Sequence, residues 1–278
     1  MRTHCGIVLL MVVLGLAGCS GSSPSAPGPG SQPLPSAFFI RGTVSDTAFR
    51  PLAGARVEVV DGPQAGLAAT ADAKGEFSLI GAFDDATRFR ATKEGHHTAT
   101  QTLDPLCPSC SPDNRWVNLS LQVLAPPISM AGDYALTFVA DSSCTMLPQE
   151  ARTRTFTATI PVTSNATPAN AYSNVVVGGA NFFEDWNGLG FGVAGDYVAF
   201  WLETLVEQPA PNTFLAFGGL AAASVTSDAS PITLRFSGSI EHCVTKSETG
   251  RYLECHQFQP ATRAVCNSDD HRLILTRR

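Results

Sequence analysis

Three groups of side chains in this sequence have types and spacings that could do chemistry: paired cysteines, paired histidines and one aromatic–acidic run. Cys107-Pro-Ser-Cys110 has the spacing of a redox pair. A reactive thiol needs a helix N-terminus or a nearby cation to lower its pKa. "DPLCPSCSPDN" offers only turn formers and proline, with no helix behind it. The pair is therefore expected to be a local disulfide that pins a loop, and zinc would want a second pair nearby. Glu184-Asp185 puts two carboxylates side by side, but neighbours on a strand point apart. Asp269, Asp270 and His271 are adjacent, which is not a catalytic geometry. The sequence contains no Gly-x-Ser-x-Gly elbow, His-Glu-x-x-His, Ser-x-x-Lys or phosphate-cradling glycine loop. The expectation is a non-catalytic protein with no cofactor and no bound metal.

Recognition is the better prospect. Asn181 to Gly188 joins Phe183 and Trp186 to Glu184 and Asp185 in an expected loop, and Tyr197 and Trp201 share the odd-numbered face of the next strand. Aromatic faces beside amides and carboxylates suit sugar rings or small amphipathic ligands. The alternative is that Phe182, Trp201 and Phe214 simply fill the core.

Composition narrows the choices. The net charge is −6 and only 15% of residues are charged, with no basic patch. Nucleic acid is thus not an expected partner. Thr, Val, Ala, Ser and Gly abound, which suits sheet surfaces.

Two bodies of strands are expected to position these residues. Across 38–125, Val57 and Val59 alternate with Arg56 and Glu58, Phe77 and Leu79 with Glu76 and Ser78, Phe89 and Ala91 with Arg88 and Arg90, and Val117, Leu119 and Leu121 with Asn118 and Ser120. Period two with one apolar face predicts sheets covered on one side, here a seven-stranded sandwich. Asp72 to Gly75 is expected to be a turn with Gly75 at positive φ. "LAPPIS", 124–129, is a hinge.

From 130 to 278, strand-like runs recur at 133–139, 152–162, 173–182, 196–204, 214–225, 232–243, 251–258 and 271–277. They predict a second antiparallel β domain. An 8–9-stranded up-and-down barrel of the lipocalin or avidin sort is preferred, with a second sandwich as the alternative. The class is all-β. A hairpin register that opposes Cys243 and Cys255 also opposes His242 and His256 on the other face, and Cys144 with Cys266 would close the ends of the module.

Two resemblances add to this reading. Arg2, the apolar run Ile7–Leu16 and Leu16-Ala17-Gly18-Cys19 resemble the signal and lipobox of bacterial lipoproteins. The apolar run of about ten residues is too short to span a bilayer, which takes about 20. The resemblance implies cleavage of 1–18 and a diacylglycerol on the Cys19 thiol; an ordinary cleaved signal is the alternative. Segment 19–37 then reads as anchor plus Ser/Pro/Gly tether, since such a composition buries too little apolar surface to fold. Ser20 in place of Asp points to the outer membrane.

Second, Gly42-x-Val44-x-Asp46, Pro51-Leu52-x-Gly54-Ala55-x-Val57-x-Val59 and Thr70-x-Asp72-x-x-Gly75-x-Phe77-x-Leu79 resemble the carboxypeptidase regulatory-like domain. That resemblance implies a transthyretin-like sandwich of the carbohydrate-binding-like folds. It implies no peptidase, since no His here has a Glu three places on.

Together these give a lipid-anchored cell-envelope protein that binds carbohydrate, envelope polymer or another small ligand. The alternative is a structural or assembly component contacting other outer-membrane proteins.

Overall fold

The computed structural model describes residues 38–84, 86–103, 115–161, 173–226, 230–247, 250–257 and 260–278, with side chains left out at 38, 115 and 183–187. Cys19, Cys107 and Cys110 fall outside the described residues.

The first seven strands are β1 (Phe38–Asp46), β2 (Arg56–Val59), β3 (Ala68–Thr70), β4 (Glu76–Gly81), β5 (Arg88–Thr92), β6 (Ala99–Thr102) and β7 (Arg115–Leu121). They form two sheets, ordered β4-β1-β7 and β3-β2-β5-β6. All pairings are antiparallel except β1 with β7. The alternation in the sequence lays down this sandwich. Val57, Val59, Phe77, Leu79, Phe89, Ala91, Val117, Leu119 and Leu121 are all buried in one core, while their sequence neighbours face solvent. Each large side chain so buried contributes about 2 kcal/mol against the entropy of ordering the chain. Gly75 takes φ +74° in the turn, where Asp72 Oδ1 accepts from the amides of Lys74 and Glu76.

The second body is a barrel. Its strands are β8 (Gly132–Val139), β9 (Thr153–Ile160), β10 (Ser173–Asn174), β11 (Val176–Gly178), β12 (Phe182–Ala194), β13 (Tyr197–Ala210), β14 (Thr213–Ser224), β15 (Ile232–Val244) and β16 (Thr262–Arg277). Every pairing is antiparallel, and the last strand, β16, returns to pair with the first, β8. β10 and β11 are one stretch of chain. It pairs with β12 at Ser173 and Asn174, and with β9 at Val176 to Gly178. Between them, the Val175 amide donates to the Leu189 carbonyl. That stretch bridges the two ends of the sheet, so the connectivity is up-and-down around eight positions. Phe138, Phe156, Phe191, Phe200, Phe217 and Phe236 point in, while Asp133, Thr137, Thr155, Thr159 and Arg235 face out. This is the reverse of a membrane barrel, whose outer band is apolar.

Three expectations are corrected here. The run 181–188 is not a loop: Phe182–Ala194 is one strand, irregular between Phe182 and Asn187. Its inward residues Leu189, Phe191 and Val193 alternate with Gly188, Gly190 and Gly192. Nor is 251–258 a strand. The disulfide Cys243–Cys255 is present, but Cys255 sits in a short helix, α2 (Glu254–Gln257), within the β15–β16 connection. Cys243 is paired in the sheet with Phe214 and Arg263 instead. The expected His242–His256 pair therefore does not form. His242 lines up with Leu215 and Ala264 on the inward face, and His256 lies outside beside Glu241. Cys144 and Cys266 are joined as expected, tying the loop after β8 to β16.

The two bodies meet at a packed seam. The Asp46 carboxylate, fully buried, accepts from the amides of Ala48 and Arg50 and from Arg50 Nε at 2.6 Å. This fixes the tight turn after β1, with Phe49 at φ +63°. The turn lies against the β12–β13 hairpin. Thr47 donates its hydroxyl to the Val193 carbonyl, Ala48 is buried with Ala194 and Ala199, and the Arg50 guanidinium sits 4.4 Å over the Tyr197 ring. Gly192 is obligatory there. A Cβ on it would stand 3.1 Å from Ala48 Cα and nearer still to the Thr47 carbonyl oxygen.

Candidate functional site

The interior of the barrel is occupied by its own side chains. Phe138 lies 4.7 Å from Phe217 and 5.7 Å from Phe236, Phe156 lies 5.3 Å from Phe182, and Phe191 lies 4.9 Å from Phe200, all between ring centroids. Arg154 clamps the buried Glu207 carboxylate with two N–H donors. A buried carboxylate is tolerable only with such a partner. His271 is wholly buried against Phe236, and its Nδ1 accepts from the Asp141 amide at 2.9 Å. The proton of the neutral ring therefore sits on Nε2, and burial holds the pKa below the usual histidine range. Among the described residues these side chains pack the barrel's interior, and the groove described below lies on its outer wall.

On that wall the strands β12 to β16 present a continuous strip. Gly190, Trp201 and Leu220 are successive cross-strand partners, followed by Ser237 on β15. Ser237 donates to Asp269 Oδ1. Beside this row, Gly218 pairs with Ser239, and Ser239 with Asn267. Trp201 is 42% exposed. Gly190 and Leu220 are its cross-strand neighbours, and Phe49 lies 6.1 Å away at the seam end. The exposed Glu203 follows two residues on, in the irregular stretch of β13.

The far end of the strip is an open groove of about 440 Å³ lined by Gly218, Ser237, Gly238, Ser239, Asn267, Ser268 and Asp269. Its floor is low because β14 and β15 approach closely at Gly219 and Gly238. A Cβ at Gly238 would meet Gly219 Cα at 3.0 Å. The Ser268 hydroxyl donates to Asp141, and that bond, with the Ser143 amide, draws the Asp141 pKa down to about 2. The groove thus offers hydroxyls, an amide and one carboxylate over a glycine floor.

The residues singled out from the sequence are distributed as follows. Trp201 lies on this strip. Tyr197 lies on the same strand at the seam, under Arg50. Phe183, Glu184, Asp185 and Trp186 belong to β12, with side chains outside those described. Ser237, Ser239, Asn267 and Asp269 were not among the sequence candidates. The signal was present in "SGS" and "NSDD", polar runs inside otherwise apolar strands.

A further polar cluster lies outside the barrel, under the β15–β16 connection. Glu241 accepts from Arg263 Nε at 2.8 Å and from the Tyr252 hydroxyl at 3.4 Å, with His256 Nε2 at 3.7 Å. Burial and the Glu241 charge push the Tyr252 hydroxyl well above its usual pKa. The Glu241 carboxylate and the sulfurs of Cys243 and Cys255 lie within 4.8 Å of one another. Those sulfurs are bonded to each other, so they are not metal donors.

The comparisons with known proteins bear on the first body. Residues 40–106 match the family model of the carboxypeptidase regulatory-like domain. The match runs from β1 past the end of β6 and includes Asp46, whose carboxylate shapes the seam turn. A carboxypeptidase regulatory-like domain is a non-catalytic type of module. No curated protein matches the chain. Among solved structures, a Bacteroides fragilis protein of unknown function, described as membrane-associated, superposes with 10% identity over 87% of this chain and 98% of its own, at a TM-score of 0.24. A superposition that loose bears on neither fold nor function. Among the described residues no helix is long and apolar enough to cross a membrane.

Proposed function

We propose that the chain is a lipid-anchored protein of the bacterial outer membrane that binds carbohydrate along the strip from Trp201 to the Ser237–Asn267–Asp269 groove. The observation that carries this reading is the half-exposed Trp201, flanked by Gly190 and Leu220, on the same wall as a row of hydroxyls, amide and carboxylate. A pyranose has an apolar C–H face and a polar rim. The indole takes the first and the groove takes the second. The groove is open rather than enclosed, which suits the side of a polymer more than a buried monosaccharide. The carboxypeptidase regulatory-like domain then acts as a rigid stalk, joined through the seam to the barrel and through segment 19–37 to an acylated Cys19.

Titration calorimetry against envelope polysaccharides tests the reading. Trp201→Ala and Glu203→Ala are expected to weaken binding roughly 10- to 100-fold. A parent protein without affinity for any polysaccharide refutes it. The filled barrel interior favours a second reading, a structural or assembly component of the outer membrane. A photo-crosslinker at position 201 that captures one dominant protein in cells would establish that reading instead.

A further inference from the structure

The three-stranded sheet β4-β1-β7 buries one face in the sandwich and leaves the other open. Ile40, Val44, Leu79, Val117 and Leu119 point inward. Outward, Phe39 stands opposite Ile80, and Arg41 stands opposite Trp116. Phe39, Ile80 and Trp116 are 46%, 59% and 44% exposed. Further along the same strands the outward residues turn polar: Thr43, Glu76 and Asn118, with Thr43 and the Trp116 indole both donating to Asn118 Oδ1. The face therefore has an oily, cationic end and a polar, acidic end. The chain enters at the oily end, because Phe38 opens β1 and the Ser/Pro/Gly segment runs up to it.

We propose that this end of the sheet rests on a lipid surface carrying anionic headgroups, a second attachment beside the acyl chain on Cys19. The inference builds on the anchored reading above. Three large apolar side chains clustered on a sheet face mark an interaction site. Their types match the headgroup layer: aromatic rings settle at the boundary between water and hydrocarbon, and an arginine lays its stem on oily neighbours while its guanidinium meets phosphate. Residues 19–37 can reach at most roughly 65 Å, so an acyl anchor on Cys19 would keep the patch at high effective concentration near the bilayer. Weak partitioning is then enough to fix how the head stands on the surface.

The test uses the whole mature chain with Cys19→Ser, which removes the acyl site and leaves the patch. Vesicles of equal parts phosphatidylethanolamine and phosphatidylglycerol are sedimented with the protein, and tryptophan emission is followed. The unacylated chain is expected to partition onto these vesicles with a blue shift in emission. Phe39→Ser combined with Trp116→Ser should weaken partitioning by about tenfold or more. Arg41→Glu, which leaves the apolar side chains in place, should weaken it on these vesicles but not on uncharged ones. Absence of partitioning in the parent, or equal partitioning of parent and variants, overturns the proposal. So does a parent that is dimeric where the variants are monomeric, since the patch would then belong to a second copy. Mass spectrometry of native Cys19 reports on acylation separately, so failure of the anchor and failure of the patch read out in different experiments.

Discussion

Gly192→Ala is the sharpest probe of the seam. The added methyl would lie 3.1 Å from both Ala48 Cα and the Thr47 carbonyl carbon, and closer still to the Thr47 oxygen. Ordinary contact between such atoms is about 3.5 Å, so the turn and the β12–β13 hairpin must part by roughly 1 Å. Neither backbone can yield alone. The turn is locked by Asp46 and the hairpin by its ladder. Overpacking of this kind costs about 1–3 kcal/mol, and loss of the Thr47 hydrogen bond to Val193 adds about 1 kcal/mol. The cost falls on the seam rather than on either core. Denaturant unfolding, followed by the fluorescence of Trp116 in the sandwich and Trp201 in the barrel, should change from one coincident transition to two. The "LAPPIS" connection should be cut faster by protease. Coincident transitions with an unchanged midpoint would refute the claim that the two bodies are locked at this point.

Other predictions follow from the same contacts. The Cys144–Cys266 bridge closes a 122-residue separation and Cys243–Cys255 a 12-residue one. Loop-closure entropy makes them worth about 5 and about 3 kcal/mol, so Cys144→Ser with Cys266→Ser should lower the urea midpoint more than the Cys243/Cys255 double variant. The Asp141 pKa is drawn from 3.8 to about 2, chiefly by the Ser268 hydroxyl. A depressed carboxylate stabilises fully above its unfolded value, and that stability is lost as pH falls from about 4 to about 2; Asp141→Asn should flatten melting temperature over that window. Burial lowers the His271 pKa below 6.5, so the unfolded chain takes the proton more readily. Stability should accordingly fall as pH drops below about 6.5, and His271→Phe should reduce that dependence, leaving the share of His242, whose pKa burial also lowers.

Much of the fold was legible because apolar and polar residues alternate strictly, as at Arg56–Val59 and Glu76–Gly81. The first body also carried a recognisable pattern of glycines and Asp46. β12 escaped because its outward positions are glycine, which reads as a turn, although Leu189, Phe191 and Val193 alternate correctly. The 251–258 stretch was misread because its two buried residues, Tyr252 and Cys255, are three apart, the period of a helical turn rather than a strand. The seam was beyond reach, since Thr47 meets Val193 across 146 residues and no local rule connects them. Of the candidate site, Trp201 was named from its type and face. The groove was not, because it is made by two strands sagging together at glycines.

The pairing of β16 with β8 sets a condition on how the molecule is made. β8 and β15 each keep one open edge until β16 has arrived, so a chain halted just before Thr262 leaves raw strand edges at both. Such a product would be sticky and quickly degraded, whereas the sandwich upstream already has its own core. The sandwich therefore closes on the earlier part of the chain, while the barrel completes in a single late act, with β8 and β16 as the two halves of the clasp.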